Sequence, residues 1–191
     1  MAVNRPLAAL AALAVAAHCH AEPLHLAIDP SHTAPYYEIG HLGYSIERGT
    51  FTKVAGSIDL DVQARTGSVA VSIDVKSLNS NWPERDAVLT GPEFFDAIRY
   101  PTIVFKSTML RFDDQGMPNA VEGQLTLHGV TKPVRLDISR FRCAEHPLLK
   151  KPWCGAEAAA TVRRSDFGMN AFAGALPDEV HLVIPVEAGP R

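Results

Sequence analysis

Beyond residue 21, six histidines, two cysteines and two short arginine–aspartate clusters are the side chains that could do chemistry. Cys143, His146 and Cys154 offer three metal donors at the spacing C-x2-H-x7-C. That supplies one ligand too few for a structural zinc site and matches none of the usual spacings, so no metal is predicted. Two cysteines around the polar, proline-containing loop AEHPLLKKPW predict a disulfide instead. His32 and His41 flank the segment around YYEIGH, and His41 shares the inward parity of Tyr37 and Ile39. Such a histidine is either a hydrogen-bonded core residue or a polar group at the edge of a pocket. Arg163, Arg164 and Asp166 in RRSDFG, and Glu84, Arg85 and Asp86 in ERD, carry the same ambiguity between surface ion pairs and a polar rim.

Catalytic patterns are absent. GYSIE holds only the first half of a nucleophile elbow. The chain has no phosphate-binding glycine loop, no H-E-x-x-H and no C-x-x-C, so no cofactor is predicted. Nothing pairs two carboxylates at a definable site.

The N-terminus predicts export. Arg5 is the only charge before the apolar run from Leu7 to Ala17. That run is too short for a bilayer, which needs roughly 20 residues. It fits the apolar region of a secretory signal, followed by Cys19-His20-Ala21 with small residues at the cleavage positions. His18 ahead of Cys19 is poor context for lipidation. The expected division is therefore a signal peptide over 1–21 and one domain over 22–191, placed in the periplasm. Losing Arg5 leaves 17 basic against 21 acidic residues, a net charge of −4. Such a balance argues against nucleic acid as a partner, and no later segment is apolar enough to span a membrane.

These residues must be positioned by strands. Val54, Ile58, Leu60 and Val62 alternate with polar neighbours; so do Val69, Val71, Ile73 and Val75, and later Val180, Leu182, Ile184 and Val186. HLAID, YYEIGHL, TIVFKSTMLRF, AVEGQLTLHGV, KPVRLDISRF and AEAAATVRRSDF read the same way, about nine strands in all. ARTGS, DDQGMPN and GVTKP are the turn breaks between them. One-sided apolar alternation repeated this often predicts an antiparallel sheet rolled on itself. Small residues on the apolar faces, Gly56, Gly123, Ala158 and Ala160, are expected to leave room inside. An exposed edge strand would allow a homodimer.

Alternation stops between Ser80 and Arg99. Pro83 suits a first helical position and Gly91 a stop. PEFFDAIR then reads as a second helical turn ending before Pro101, which puts Phe94, Phe95 and Ile98 at i, i+1 and i+4. The expected insert covers residues 82–99.

Four segments in order, DPSHTAPYYEIGHLGYSIERGTF, RDAVLTGPEFFDAIRYPTIVFKST, GQLTLHGVTKPVRL and RRSDFGM, resemble the YceI-like family over nearly the whole chain after residue 21. CAEHPLLKKPWCGA resembles a branch of that family with a cysteine pair at this place. The chain departs from the family pattern at Thr33, Tyr37 and Val88. The resemblance implies an all-β, lipocalin-like antiparallel barrel, secreted, non-enzymatic, holding a polyisoprenoid or isoprenoid quinone in its interior. The expected lining is Tyr37, Ile39, Phe51, Ile58, Ile73, Phe94, Phe95, Ile98, Tyr100, Phe105, Leu127 and Phe167. The expected polar rim is His32, His41, Arg85, Arg164 and Asp166. Capture of foreign hydrophobic compounds such as antibiotics is a variant of this reading. An enzyme acting on a lipid, and a stress protein with a filled barrel, are the readings of other classes.

Overall fold

The computed structural model describes residues 22–191; the expected signal peptide lies outside the described residues. Eleven strands form one antiparallel sheet. They are β1 Leu24–Ile28, β2 Tyr36–His41, β3 Ser45–Phe51, β4 Val54–Asp61, β5 Thr66–Asp74, β6 Leu78–Asn79, β7 Thr102–Phe112, β8 Pro118–Leu127, β9 Val130–Glu145, β10 Pro152–Arg163 and β11 Glu179–Pro190. Eight of them, in the order β1-β4-β5-β7-β8-β9-β10-β11, close into a barrel because β11 returns to β1. The strand β11 has two partners on one side: its residues 181–183 pair with β2, and its residues 188–190 pair with β1. The β2–β3 hairpin and the two-residue β6 extend the sheet from that split.

The alternating segments become strands as expected, with two additions. The strand β3 was not legible, because its inward parity is Glu47, Gly49 and Phe51, one charge and one glycine among three. Ile46 faces outward there and is exposed. The short β6 is a bridge that β3 imposes on the chain through Thr50 and Phe51. GVTKP is not a turn beyond its first residue: His128 and Gly129, both at positive φ, make the bend, and Val130 begins β9. Pro133 is tolerated because β9 pairs with β10 only from Asp137 onward, so its missing N–H interrupts no ladder on that side.

The interruption holds one helix, α1, Pro83–Leu89. Pro83 opens it as expected, but the N-cap position is Trp82 without a side-chain cap. Asp86 instead turns back to accept bonds from the Ser80 N–H at 2.8 Å and its hydroxyl at 2.5 Å. The expected second helical turn does not form. Residues 91–100 are successive turns held by Phe95 N–H to Leu89 O (2.9 Å) and Tyr100 N–H to Asp96 O (2.8 Å). Asp96 at φ 45° reverses the local hand, which ruins the i to i+4 spacing. Ala97 is buried as a result, and Ile98 is 91% exposed.

Two packed regions flank the barrel interior. The larger joins Phe51, Val75, Leu78, Ala97, Ile103, Phe105 and Phe167 under the insert; the smaller joins Leu26, Cys154 and Ala188 near the β1 seam. Cys143 and Cys154 are directly opposed in the β9–β10 ladder and are disulfide-bonded. The bond staples the end of the longest hairpin, the place where its open loop would otherwise fray. Thiol titration of denatured, unreduced protein spanning 22–191 is expected to find no free thiol. Reduction and alkylation should then lower unfolding free energy by about 2–3 kcal/mol in denaturant titration. Two thiols before reduction would contradict the pairing.

Candidate functional site

The barrel encloses a cavity of about 570 Å³, within the usual size range of small-molecule sites. Its wall comes from the inward parity of the barrel strands. Val180, Leu182, Ile184 and Val186 of β11 all face it, as do Val69, Val71 and Ile73 of β5 and Val134, Leu136 and Ile138 of β9. An eight-stranded barrel is just wide enough to be filled by its own side chains or to hold one small ligand. Here medium-sized aliphatics point inward and leave the centre open.

The small residues expected to provide that room do so only in part. A methyl on Gly123 would sit 2.5 Å from the Phe105 ring, so Phe105 already occupies the space. A methyl on Gly56 would meet the Ala70 carbonyl at 2.3 Å. These glycines permit close packing of their neighbours. Of the alanines, Ala158 lines the cavity, together with Ala156, whereas Ala160 does not. The volume follows from barrel width and from the short side chains of β10.

Tyr37, Ile39, Phe51, Ile58, Ile73, Phe94, Phe95, Phe105 and Leu127 stand on the cavity wall. Three other expected lining residues do not. Ile98 points to solvent for the reason given above. Tyr100 lies edge-on to His128, ring centroids 4.8 Å apart, over the β8–β9 bend and outside the cavity. Phe167 is 1% exposed but belongs to the solid core, where its carbonyl bonds His128 Nδ1 at 2.9 Å.

The expected rim divides likewise. His41, Arg85 and Arg164 reach the cavity. Arg85 crosses from α1 to β3: its guanidinium pairs with Glu47 and donates to the Ser80 hydroxyl (2.9 Å) and carbonyl (2.7 Å). Arg164 is 6% exposed and donates to the carbonyls of Pro177 (2.9 Å), Met169 (2.8 Å), Ala171 (2.7 Å) and Leu176 (3.3 Å). It therefore shapes the 169–178 loop beside the opening. Asp166 is exposed on the far side of the short 3-10 turn Arg164–Phe167, whose three-residue period turns Arg164 and Phe167 inward and Ser165 and Asp166 outward. His32 lies in the loop after β1, bonded to Asp29 at 2.6 Å, and does not touch the cavity.

Sequence reasoning missed the mouth. Leu42, Val88 and Phe172 line the cavity while remaining more than half exposed. Phe172 stacks on Phe94 with ring centroids 6.1 Å apart, which brings the 169–178 loop against the insert. Leu42 and Phe172 both occupy left-handed turn positions, φ 51° and 54°, where bulky residues are unusual. An apolar residue inside a turn was the one signal available.

The residues 26–188 match the YceI-like domain family. The chain belongs to that family. The protein YceI of Escherichia coli O157:H7 is 34% identical over 157 residues, covering 82% of this chain and 81% of its own. A UPF0312 protein of Enterobacter sp. (strain 638) is 36% identical over 157 residues, 82% of this chain and 80% of that protein. Among solved structures, a Campylobacter jejuni YceI protein superposes with a TM-score of 0.66 at 27% identity, over 80% of this chain and 90% of that one. A polyisoprenoid binding domain from Saccharophagus degradans has the same fold: TM-score 0.64 at 13% identity, over 89% of this chain and 100% of that one. These relatives thus align with this chain over about four-fifths of its length, at about a third identity.

Tyr37 reports the dryness of the interior. Burial pushes its phenol from 10.0 to about 12, and the nearby Asp86 and Glu47 carboxylates add to the rise against the opposing Arg85 guanidinium. The raised value means the folded state favours the neutral phenol. The unfolded chain releases its proton first, so stability is full below about pH 10 and is lost as pH climbs toward 12. Ultraviolet titration of tyrosinate should show one residue ionising last, and Tyr37→Phe should remove that step. A Tyr37 that ionises at the ordinary phenol value of 10.0 would mean a wet cavity.

Proposed function

We propose that this protein is a periplasmic carrier that holds one long apolar chain, a polyisoprenoid or an isoprenoid quinone, inside the barrel. One observation carries the reading: the cavity is lined mainly by aliphatic and aromatic side chains, with His41, the Arg85–Glu47 pair, Arg164 and two tyrosines as its polar groups. Such a surface gains by removing an apolar chain from water, about 25 cal/mol per Å² buried. The described residues that line it include no Ser, Thr, Cys or Asp, so a bound lipid meets no side-chain nucleophile of those kinds. The S. degradans domain with the same fold is a polyisoprenoid binding domain, which supports the same ligand class here. No helix among the described residues is long and apolar enough to cross a membrane. Export is supported by the apolar run Leu7–Ala17 and by a disulfide, which persists in oxidising compartments.

Extraction of the native protein with organic solvent, followed by mass spectrometry, should release an intact prenyl lipid. A chemically altered lipid would favour an enzyme, and no lipid a filled barrel. Phe95 then separates wall from core. It lines the cavity and meets Phe51 edge-on, ring centroids 5.6 Å apart. A phenylalanine in a packed interior costs about 3–5 kcal/mol when cut to alanine. Phe95→Ala is expected to cost the lipid-free protein less than that while weakening lipid binding. Melting curves with and without extracted lipid test this; equal losses in both states with unchanged binding would make Phe95 a core residue.

The export proposal has its own measurement. Intact mass of the protein recovered from a periplasmic fraction is expected to correspond to a chain beginning at Glu22. A mass that retains residues 1–21, or a lipid adduct on Cys19, would overturn it.

A further inference from the structure

Three side chains that take no part in the cavity converge where the barrel closes. Asp29 and His32 lie in the loop leaving β1, and Glu187 lies on β11, one residue beyond the inward-facing Val186. Backbone and hydroxyl contacts hold the loop across the strand. The Asp29 N–H donates to the Glu187 carbonyl at 2.9 Å. Thr33 Oγ1 donates to the same carbonyl at 3.3 Å and accepts from the Glu187 N–H at 3.1 Å. One nitrogen of His32 and one oxygen from each carboxylate consequently lie within 4.8 Å of one another.

The two carboxylates are turned by neutral donors. Ser31 donates to Asp29 Oδ1 through its N–H (2.9 Å) and its hydroxyl (2.7 Å). Trp153 Nε1–H donates to Glu187 Oε2 at 2.9 Å. Among the described residues, neither carboxylate has a Lys or Arg within salt-bridge distance; the ion-pair partner of Asp29 is His32 itself. Two negative groups thus share one imidazole and no fixed cation. The donors match a first-row divalent ion: one borderline nitrogen and two hard oxygens, with no thiolate to select copper(I) and too few oxygens for calcium. Donors bound to one zinc at 2.0–2.2 Å stand about 3–4 Å apart. His32 Nδ1 already stands 2.6 Å from Asp29 Oδ2, so the pair faces Glu187 across a gap close to that spacing.

We propose that Asp29, His32 and Glu187 form a binding site for a zinc-type divalent cation on the outer surface of the barrel seam. Three protein ligands leave a position for water. The ion ties the β1–β2 crossover loop to β11 at the point where β11 changes partner. The Trp153 and Ser31 donors act as the outer shell that aims the ligands. The site is separate from the cavity and does not depend on the ligand proposed for it.

The test is calorimetric titration of zinc chloride into the chain spanning 22–191, with melting curves at saturating zinc. One equivalent is expected to bind and to raise the melting temperature, because an ion that binds only the folded state stabilises it. His32→Ala and Glu187→Gln should each weaken binding at least tenfold. His25→Ala should not, since His25 and Asp59 form a separate exposed pair. Magnesium and calcium at the same concentration should leave the melting curve unchanged. Both ligand variants are checked for a cooperative melt without metal, and Glu187→Gln keeps an acceptor for Trp153 should His32→Ala fold poorly. Absence of zinc binding below millimolar concentration, or stoichiometric binding that survives either ligand variant or is lost in His25→Ala, would overturn the site.

Discussion

Pairing of β11 with two strands at once is the constraint on which the rest of the molecule depends. One edge of β11 follows β10 over ten registered pairs, from Cys154 opposite Ala188 to Arg163 opposite Glu179. Its other edge is divided between β2 and β1. Closure through β1 leaves the eight barrel strands without an open edge, so their inward faces confront one another. A slip of one residue would turn Val180, Leu182, Ile184 and Val186 to solvent and bring Glu179, His181 and Glu187 inside. The loss of apolar burial and the unpaired charges would both oppose it, which fixes the register.

Closure alone makes a tube, and two arginines make it a container. Arg85 fastens α1 to β3 by pairing with Glu47 and the Ser80 carbonyl. Arg164 draws the 169–178 loop together on four carbonyls. Arg164 is buried, so breaking its arrangement would leave a charge with too few partners in a low-dielectric setting, a costly state. Both covers therefore have defined shapes, while the residues between them, Leu42, Val88 and Phe172, remain apolar and accessible.

Packing is uneven around the ring. Phe51, Phe105, Leu125 and Leu127 join a dense cluster under the insert and also face the cavity. The disulfide between β9 and β10 belongs with Leu26 and Ala188 in a separate small cluster near the seam. Solid packing at those places supports walls whose opposite sides lack neighbours.

The sequence by itself determined most of the sheet, the disulfide partners, the position of the insert and the greater part of the cavity wall. Period-two alternation puts every second residue on one face whatever the strands' neighbours are, so Ile58, Ile73 and Leu127 were readable without coordinates. Strand β3 was not, because a wall that includes Glu47 and Gly49 has no apolar period. Ile98, Tyr100 and Phe167 were misplaced for a related reason: in irregular backbone, and at the ends of strands, direction is set by single torsions such as φ 45° at Asp96. Only the tertiary structure decided that Gly56 and Gly123 are filled by their neighbours, that Leu42 and Phe172 meet at the mouth, and that Asp29, His32 and Glu187 come together. Those contacts join residues far apart in the chain, and no local pattern encodes a distance that exists only once β11 has closed the ring.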